Sequence, residues 1–369
     1  MPTHTARLSL AVLLMTSLTG FTGLVQAQDA LANPMAEQEQ VEQPYDQDAD
    51  GEQRAKKAGE NLLGQPGPKA VLTTLTGEKI DLTKLYGHKP IYLKFWATWC
   101  VPCRAQMPSF QAFQAAHGDE VQVIAVNTGF ADTAKAAAGY AKKMGLTMPI
   151  AVDDGTLAKV FNLRVTPQHV LIDRSGRIAY VGHSDDQELK DALQKLLSDD
   201  GAHSAPVQAT PLVPVADEAL KLGHTIKGLS VATLDGKTVD VARTNTDKPL
   251  GLVFFATWCE SYLAESKPET SIACKRVRED VNKLSQRDDI EWLAVASGLW
   301  TEQADVDAYL ETTEVKVPVA LDSDGTLFRE FGIQQIPSMV LIDSQGKWRQ
   351  LVGPQETNLA GAVNKVLVP

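Results

Sequence analysis

Apolar runs of strand length alternate with amphipathic stretches along most of the chain. The runs that predict strands are Lys69–Thr74, Glu78–Leu82, Ile91–Ala97, Val121–Asn127, Val170–Asp173 and Arg177–Val181. The stretches that predict helices are the residues after Cys100, Asp132–Met144 and Asp186–Leu197. Buried strands that alternate with helices form sheets covered on both faces. The pattern therefore predicts an α/β fold with a central mixed β-sheet flanked by helices.

The same order of runs occurs twice. The sequence ATWC at residues 97–100 recurs at residues 256–259, and VLID at residues 170–173 recurs at residues 340–343. The turn glycines Gly77 and Gly236 both stand 23 residues before the cysteine, so the register holds without a gap. A repeat this long indicates a duplicated domain rather than a solenoid. We predict tandem domains at residues 62–197 and 217–369, joined by a proline-containing linker at 198–216.

The N-terminal sequence predicts a targeting signal followed by an acidic arm. A basic start, an apolar stretch from Leu8 to Val25 and the sequence VQA indicate a secretory signal peptide over residues 1–27, with an uncleaved anchor as the alternative. Residues 28–61 are predicted to be a disordered acidic arm, because Gln28–Glu60 holds 9 acidic and 3 basic residues and few apolar ones. This pattern predicts a periplasmic protein.

Composition narrows the function classes. The chain has 369 residues, 44% of them hydrophobic, and a formal net charge of −11. Phosphate contacts need clustered Lys and Arg, so no nucleic-acid partner is expected. Only 4 cysteines are present, which excludes a scaffold held together by many disulfides.

Two of these cysteines form a C-x-x-C motif, Cys100-Val101-Pro102-Cys103, where an apolar strand gives way to a helix. At a helix N-terminus Cys100 is favoured as a thiolate, the nucleophile of disulfide exchange, and Cys103 can resolve the mixed disulfide. Zinc would need two further ligands, and the chain has no second C-x-x-C or paired histidines, so no metal is expected.

The motif set resembles the thioredoxin superfamily, specifically its TlpA/ResA/CcmG-like extracytoplasmic branch. The resemblance rests on FWATWCVPC with Trp99, on Thr166-Pro167 before a strand, and on VLID with a following glycine. It implies a thiol:disulfide oxidoreductase acting on protein thiols and disulfides, a membrane thiol electron donor and no cofactor. It also implies that Pro167 is cis, packs against Cys100 and exposes the Thr166 backbone to a substrate strand.

Two positions depart from the family pattern. Gln106 stands where the family commonly has a carboxylate that tunes the cysteine pair, and Lys94 stands where thioredoxins keep a buried Asp. An inward Lys94 would stabilise the thiolate and favour a stronger oxidant, whereas a lysine that reaches solvent at the strand end would not. We predict an acidic Cys100 thiol whose pKa rises in Lys94→Met.

The second domain keeps the first cysteine, Cys259, but has Tyr262 in place of the second. Without a resolving thiol, ordinary turnover is not expected there. About ten extra residues follow, and Pro268 is predicted to begin a new helix, so Cys274 is either bonded to Cys259 or a separate buried thiol. Glu265 stands at the position of the tuning carboxylate, and Ile336-Pro337 preserves the cis-proline motif.

The sequence thus predicts an exported disulfide reductase or isomerase whose second domain is a binding or dimerisation platform. Alternatives are a dithiol oxidase, a copper-handling protein or a chaperone-type binding protein. Copper would need a further His or Met ligand near the cysteines. The candidate is His169, just past Pro167, and it is interpreted as a surface residue at a strand end.

Overall fold

Two similar α/β repeats follow one another in the computed structural model, which describes residues 47–199, 207–211, 220–244 and 246–367. The predicted signal peptide and the first part of the predicted arm lie outside the described residues, as does most of the linker. Among the described residues, no helix is long and apolar enough to cross a membrane.

The first repeat contains a five-stranded mixed sheet. After helix α1 (Gln47–Gly59), the elements are β1 (Pro68–Lys69), β2 (Val71–Thr73), β3 (Lys79–Asp81), a 3₁₀ turn (Leu82–Lys84), β4 (Ile91–Trp96), α2 (Val101–His117), β5 (Gln122–Asn127), α3 (Ala134–Met144), β6 (Ile150–Val152), α4 (Thr156–Val160), β7 (Gln168–Ile172), β8 (Ile178–Gly182) and α5 (Gln187–Ser198). The sheet order is β6-β5-β4-β7-β8. Strands β4, β5 and β6 are parallel to one another, β7 is antiparallel to β4, and β8 is antiparallel to β7.

Central strand β4 brings the site residues into position. All six of its residues are buried, because helices cover both faces of the sheet. Strand β4 ends at Trp96, and α2 begins a few residues later with Cys100 as its N-cap. The loop before β7 carries Thr166-Pro167 and meets the same edge, since β7 pairs with β4.

The second repeat has the same topology. Its elements are β10 (Ser230–Ala232), β11 (Thr238–Asp240), β12 (Leu250–Phe255), α6 (Cys259–Ser266), α7 (Pro268–Leu284), β13 (Glu291–Ser297), α8 (Gln303–Thr312), β14 (Val319–Asp322), α9 (Thr326–Glu330), β15 (Ser338–Ile342), β16 (Trp348–Val352) and α10 (Leu359–Leu367). Its sheet order is β14-β13-β12-β15-β16. In the linker, β9 (Thr210–Pro211) pairs in parallel with β1. The predicted α/β fold with two tandem thioredoxin-like domains is confirmed.

The disordered-arm prediction is wrong for its last part, because residues 47–59 form α1. The helix packs on β8, with Gly51, Ala55, Ala58 and Gly59 buried. Glu52 accepts hydrogen bonds from the backbone N–H groups of His183 and Ser184, both at 2.7 Å. These contacts are distant in sequence, and they offset the entropy cost that composition alone predicted would keep the segment disordered.

The two repeats share one apolar core. A continuous cluster of buried side chains includes Trp99 and Phe110 of the first repeat and Phe254 and Leu263 of the second. Further clusters lie on the other face of each sheet. The active-site face of each repeat is therefore packed against the other repeat.

Candidate active site

Cys100 and Cys103 form a disulfide at the start of α2, with their Cα atoms 5.2 Å apart. The N–H of Cys103 donates to Cys100 Sγ at 3.1 Å. Pro102 suits the first turn, where its missing N–H would have no partner within the helix. The free N–H groups and positive dipole end of α2 favour a negative charge at Cys100 once the disulfide is reduced.

The cis-proline loop lies against this disulfide. The peptide bond between Thr166 and Pro167 is cis, which confirms the expectation from the resemblance. Cys100 Sγ lies 3.3 Å from the carbonyl oxygen of Thr166. Trp99 is held beside them because its indole N–H donates to the carbonyl of Phe130 at 2.8 Å. The structure thus brings together the tryptophan, the cysteine pair and the cis-proline predicted from sequence.

Lys94 points inward and is fully buried, so the alternative of a lysine that reaches solvent is wrong. Its ammonium group donates to Gln106 Oε1 at 3.2 Å and lies 5.4 Å from the centre of the Phe110 ring. Burial lowers the pKa of Lys94 from 10.5 to about 7, with Asp185 opposing the shift. Lys94 therefore carries only part of its charge at neutral pH, which limits its effect on the cysteines.

His169 is buried, so its interpretation as a surface histidine is wrong. It lies opposite Lys94 in the β4–β7 ladder. His169 Nε2 is 2.9 Å from Gln106 Oε1, and Nδ1 is 2.8 Å from the Tyr92 hydroxyl. The amide oxygen can only accept, so Nε2 carries the proton and Nδ1 accepts from Tyr92. Burial holds the pKa of His169 well below its usual value, so the ring is neutral.

In the second repeat, a disulfide joins Cys259 to Cys274, with their Cα atoms 6.3 Å apart. Helix α6 ends at Ser266, and α7 begins at Pro268 and folds back along it, as the extra residues predicted. Of the two alternatives left by the sequence, the structure contains the disulfide. Cys259 is therefore paired with a residue outside the C-x-x-C position.

Of the remaining motif residues of the second repeat, some lie at the site and one does not. The Ile336–Pro337 bond is cis, as in the first repeat, and Ile336 is buried. Glu265 is exposed to solvent, away from the buried cystine. The structure therefore preserves the cis-proline loop but does not bring Glu265 into the site.

The two sites face each other through paired contacts. The N–H of Trp300 donates to the carbonyl of Arg164 at 2.7 Å, and the N–H of Ala131 donates to the carbonyl of Gln334 at 2.6 Å. These are equivalent bonds, because Ala131 and Trp300 follow matching strands and both have positive φ, 49° and 56°. Each acceptor stands three residues before its cis-proline. The repeats thus pack like the two halves of an isologous dimer.

Comparison with known proteins decides the family, since the Redoxin family model matches residues 62–196 and 216–364. The chain belongs to the Redoxin family. Thioredoxin-like protein YneN of Bacillus subtilis is 36% identical over 134 residues, which make up 36% of this chain and 78% of that protein. Thiol-disulfide oxidoreductase ResA of Bacillus cereus is 32% identical over 138 residues, covering 36% of this chain and 78% of ResA.

Among solved structures, StoA from Bacillus subtilis is 30% identical and matches 35% of this chain and 99% of that chain, with a TM-score of 0.31. With its C-x-x-C pair at Cys100 and Cys103, this Redoxin-family chain is a thiol:disulfide oxidoreductase of the thioredoxin superfamily.

Sequence reasoning missed His183, which links the site of this Redoxin-family enzyme to α1. Its Nδ1 donates to the carbonyl of Pro167 at 2.7 Å, and the ring is fully buried. Gln106 Nε2 donates to the His183 carbonyl at 3.1 Å. No motif surrounds His183; only its place just after the last strand of the repeat could have drawn attention to it.

The second repeat covers the site of the Redoxin-family enzyme. Cys100 is 1% exposed, and Cys103 and Thr166 are 0% exposed. The sequence singled out Tyr262 as the replacement for the second cysteine, but it gave no sign of Trp300, which lies against Thr166. Neither cis-proline groove is open to a partner in this arrangement.

Proposed function

We propose that the protein is an exported enzyme that reduces or isomerises disulfides in other proteins through Cys100 and Cys103. The observation that carries the proposal is the cystine at the N-terminus of α2, with Cys100 Sγ against the cis-proline loop. In the reduced enzyme the Cys100 thiolate attacks a substrate disulfide, forms a mixed disulfide and displaces one substrate thiolate. Cys103 then attacks Cys100 Sγ, which releases the second substrate thiol and restores the cystine.

Each such reduction consumes two electrons from the enzyme. A thiol donor must return them by reducing the cystine, and a membrane thiol protein is the proposed source. The substrate is held by strand addition at the Thr166 backbone, once the second repeat has moved aside. The second repeat is a docking platform whose partner in this structure is the first repeat.

The state of Lys94 supports the reducing direction. A strongly stabilised thiolate makes a strong oxidant, and a fully charged lysine nearby would provide that stabilisation. With a pKa of about 7 Lys94 is partly neutral at neutral pH, and the uncharged Gln106 accepts its hydrogen bond. Oxidase activity is the second candidate, because Lys94 gains charge in mildly acidic conditions.

Export is supported by the basic and apolar N-terminal pattern and by the cystine of the second repeat. The Cys259–Cys274 disulfide has no C-x-x-C spacing, and such bonds persist in oxidising compartments. Both observations favour a periplasmic location.

Copper handling has less support. Both ring nitrogens of His169 are engaged, by Gln106 and Tyr92. Within the described ranges, the group of acidic and histidine or cysteine side chains close enough to share an ion is Glu52, Asp186 and Glu188, which contains no cysteine. A chaperone-type function would leave the Cys100–Cys103 pair at the start of α2 without a role, so it has less support than disulfide exchange.

The reduction potential of the Cys100–Cys103 pair tests the proposal. The full-length protein is equilibrated with thiol redox buffers and alkylated, and the Cys100 peptide is quantified by mass spectrometry. A value near that of thioredoxin, about −270 mV, supports reduction, whereas one near that of a strong oxidase, about −120 mV, contradicts it. In Cys103→Ser, protein substrates should accumulate as mixed disulfides, and Cys100→Ser is the matched control that should trap none.

A further inference from the structure

Tyr262 of the second repeat touches the catalytic turn of the first. Its hydroxyl oxygen accepts a hydrogen bond from the N–H of Val101 at 2.9 Å. Val101 follows Cys100 directly, at the first residue of α2. The Tyr262 ring stands edge-on to Trp99, with centroids 6.3 Å apart, and edge-on to Trp258 at 6.1 Å. The residue in the position of the lost cysteine therefore contacts the turn that holds the working cysteine.

Trp300 makes a second attachment, on the cis-proline side. Its backbone N–H donates to the Arg164 carbonyl at 2.7 Å, and its indole N–H is 3.4 Å from Thr166 Oγ1. The same ring stands edge-on to His183, with centroids 5.4 Å apart. Tyr262 and Trp300 thus hold the site from its two sides, the helix start and the cis-proline loop.

Helix α1 makes a third attachment, away from the cystine. The guanidinium of Arg54 forms two hydrogen bonds to the carboxylate of Asp305, at 2.8 and 3.0 Å. Lys57 pairs with Glu302 at 3.0 Å. Because α1 is docked on the first repeat and α8 belongs to the second, these ion pairs fasten the two repeats together.

Disulfide exchange requires an incoming thiolate to reach a sulfur of the cystine. With Cys100 1% exposed and Cys103 0% exposed, no thiolate reaches it in this arrangement. We propose that Tyr262 is a positioning residue by which the second repeat holds the catalytic turn in a closed state, and that reaction requires the repeats to separate at this interface. This inference rests on the proposed exchange at Cys100 and adds its regulation.

The size of the effect follows from the population of the open state. When closing is fast, the observed rate of reaction tracks the fraction of open molecules. Tyr262→Phe keeps the ring against Trp99 and removes the hydroxyl, which bonds the Val101 N–H and the Gln47 side chain in the closed state. In the open state water replaces these bonds, so the open fraction should rise by at least roughly three- to tenfold, the effect of losing one net hydrogen bond.

The experiment measures how fast dithiothreitol reduces the cystine in the oxidised full-length protein. One dithiothreitol thiolate attacks Cys100 Sγ and displaces Cys103 as thiolate; its second thiol then releases Cys100 and closes the cyclic disulfide. Samples are quenched in acid and alkylated, and the Cys100 peptide is quantified separately from the Cys259 and Cys274 peptides. We expect a reaction at least roughly three- to tenfold faster in Tyr262→Phe and a roughly two- to fivefold faster one in Asp305→Asn, which loses the Arg54 ion pair far from the cystine.

Two matched variants provide the controls. Tyr309→Phe removes a tyrosine hydroxyl that bonds Glu260 within the second repeat, and Asp289→Asn breaks an ion pair with Arg287 within the same repeat. Both should react at the native rate. Circular dichroism and an intact Cys259–Cys274 bond verify the fold of every variant.

Native rates in both Tyr262→Phe and Asp305→Asn overturn the proposal. Acceleration in Tyr262→Phe alone also overturns it, because the hydroxyl would then act locally on the cystine rather than through closure. A variant of Tyr262 that fails to fold leaves Asp305→Asn as the deciding measurement. The readout uses no protein substrate, so it is independent of the reduction potential and of substrate trapping, which test the proposed function itself.

Discussion

The indole rings of Trp99 and Trp258 stack across the junction of the repeats, with centroids 4.9 Å apart and planes at 30°. They occupy equivalent positions, directly before Cys100 and Cys259. Two equivalent residues touch in this way when they lie near an approximate two-fold axis. The second repeat therefore packs against the first with the surface that corresponds to its own active site. Trp258 contributes to this interface although its repeat has no C-x-x-C pair.

Lys94→Met should change how stability depends on pH. The unfolded chain keeps Lys94 protonated up to about its ordinary pKa of 10.5, whereas the folded chain protonates it only near or below its pKa of about 7. The unfolded state thus binds more protons between these values, and the buried amine destabilises the native protein increasingly as pH falls from 10 to 7.

The variant lacks this amine and escapes this loss of stability. The difference in free energy of unfolding, variant minus native, should therefore be about 3 kcal/mol larger at pH 7 than at pH 10. Urea unfolding of the oxidised proteins at several pH values measures this. Lys190→Met, at an exposed position, is the control. A difference between variant and native that stays constant with pH would contradict the assignment of a depressed pKa.

Gln106→Glu should restore a carboxylate beside Lys94 and His169. A negative charge disfavours a nearby thiolate, so we expect the pKa of the Cys100 thiol to rise. The pKa of Lys94 should also rise, because the opposite charge favours its ammonium form. Thiolate absorbance of the reduced protein against pH measures the first effect.

Gln111→Glu adds the same charge to α2 at a position bonded to Thr147, away from the cystine. Its Cys100 thiol should titrate as in the native protein. Equal titration curves for both glutamate variants and the native chain would show that Gln106 does not influence the cysteines.

The cystine of the second repeat should be visible by mass. In a protein with Cys100 and Cys103 changed to serine, intact mass should increase by about two daltons on reduction under denaturing conditions, since two hydrogens are added when the Cys259–Cys274 bond is broken. Cys274→Ala in the same background should show no such change. An unchanged mass in the parent would mean that the two thiols are separate.

The same bond should stabilise the fold. It closes a loop of 15 residues, for which chain-entropy models give about 3 kcal/mol. Unfolding of Cys259→Ala/Cys274→Ala against the parent measures this contribution.

Gly51→Ala should destabilise the protein although alanine favours helices. A Cβ at Gly51 would lie 2.6 Å from two ring atoms of His183, which Pro167 holds in place. We expect a loss of about 1–3 kcal/mol from this overlap, more than the gain in helix propensity. Gly139→Ala, in α3 with open space around its Cβ, should instead gain about 0.5–1 kcal/mol. Thermal or urea unfolding of both variants compares them; equal stabilisation would refute the close packing of α1 on His183.

Local pattern was sufficient for the elements and for the working pair. The apolar run predicted strand β4, the position after Cys100 predicted helix α2, and Pro268 predicted the start of α7. Each of these features depends on neighbouring residues. The cis bond at Pro167 followed from the resemblance. Helix α1 was missed because its stability comes from contacts with His183 and Asp305, which are 131 and 251 residues distant from their partners in the helix.

The amino-acid sequence by itself determined the duplication, the α/β topology and the cysteine pair, since periodicity and motif spacing are properties of neighbouring residues. Only the tertiary structure decided the environment of that pair. Burial depends on what packs from far along the chain, so it was the fold that placed Lys94 and His169 inside, joined Cys259 to Cys274, and set Tyr262 against Val101. The pKa of Lys94 and the closure of the site follow from that burial, because desolvation and access act on the assembled surface.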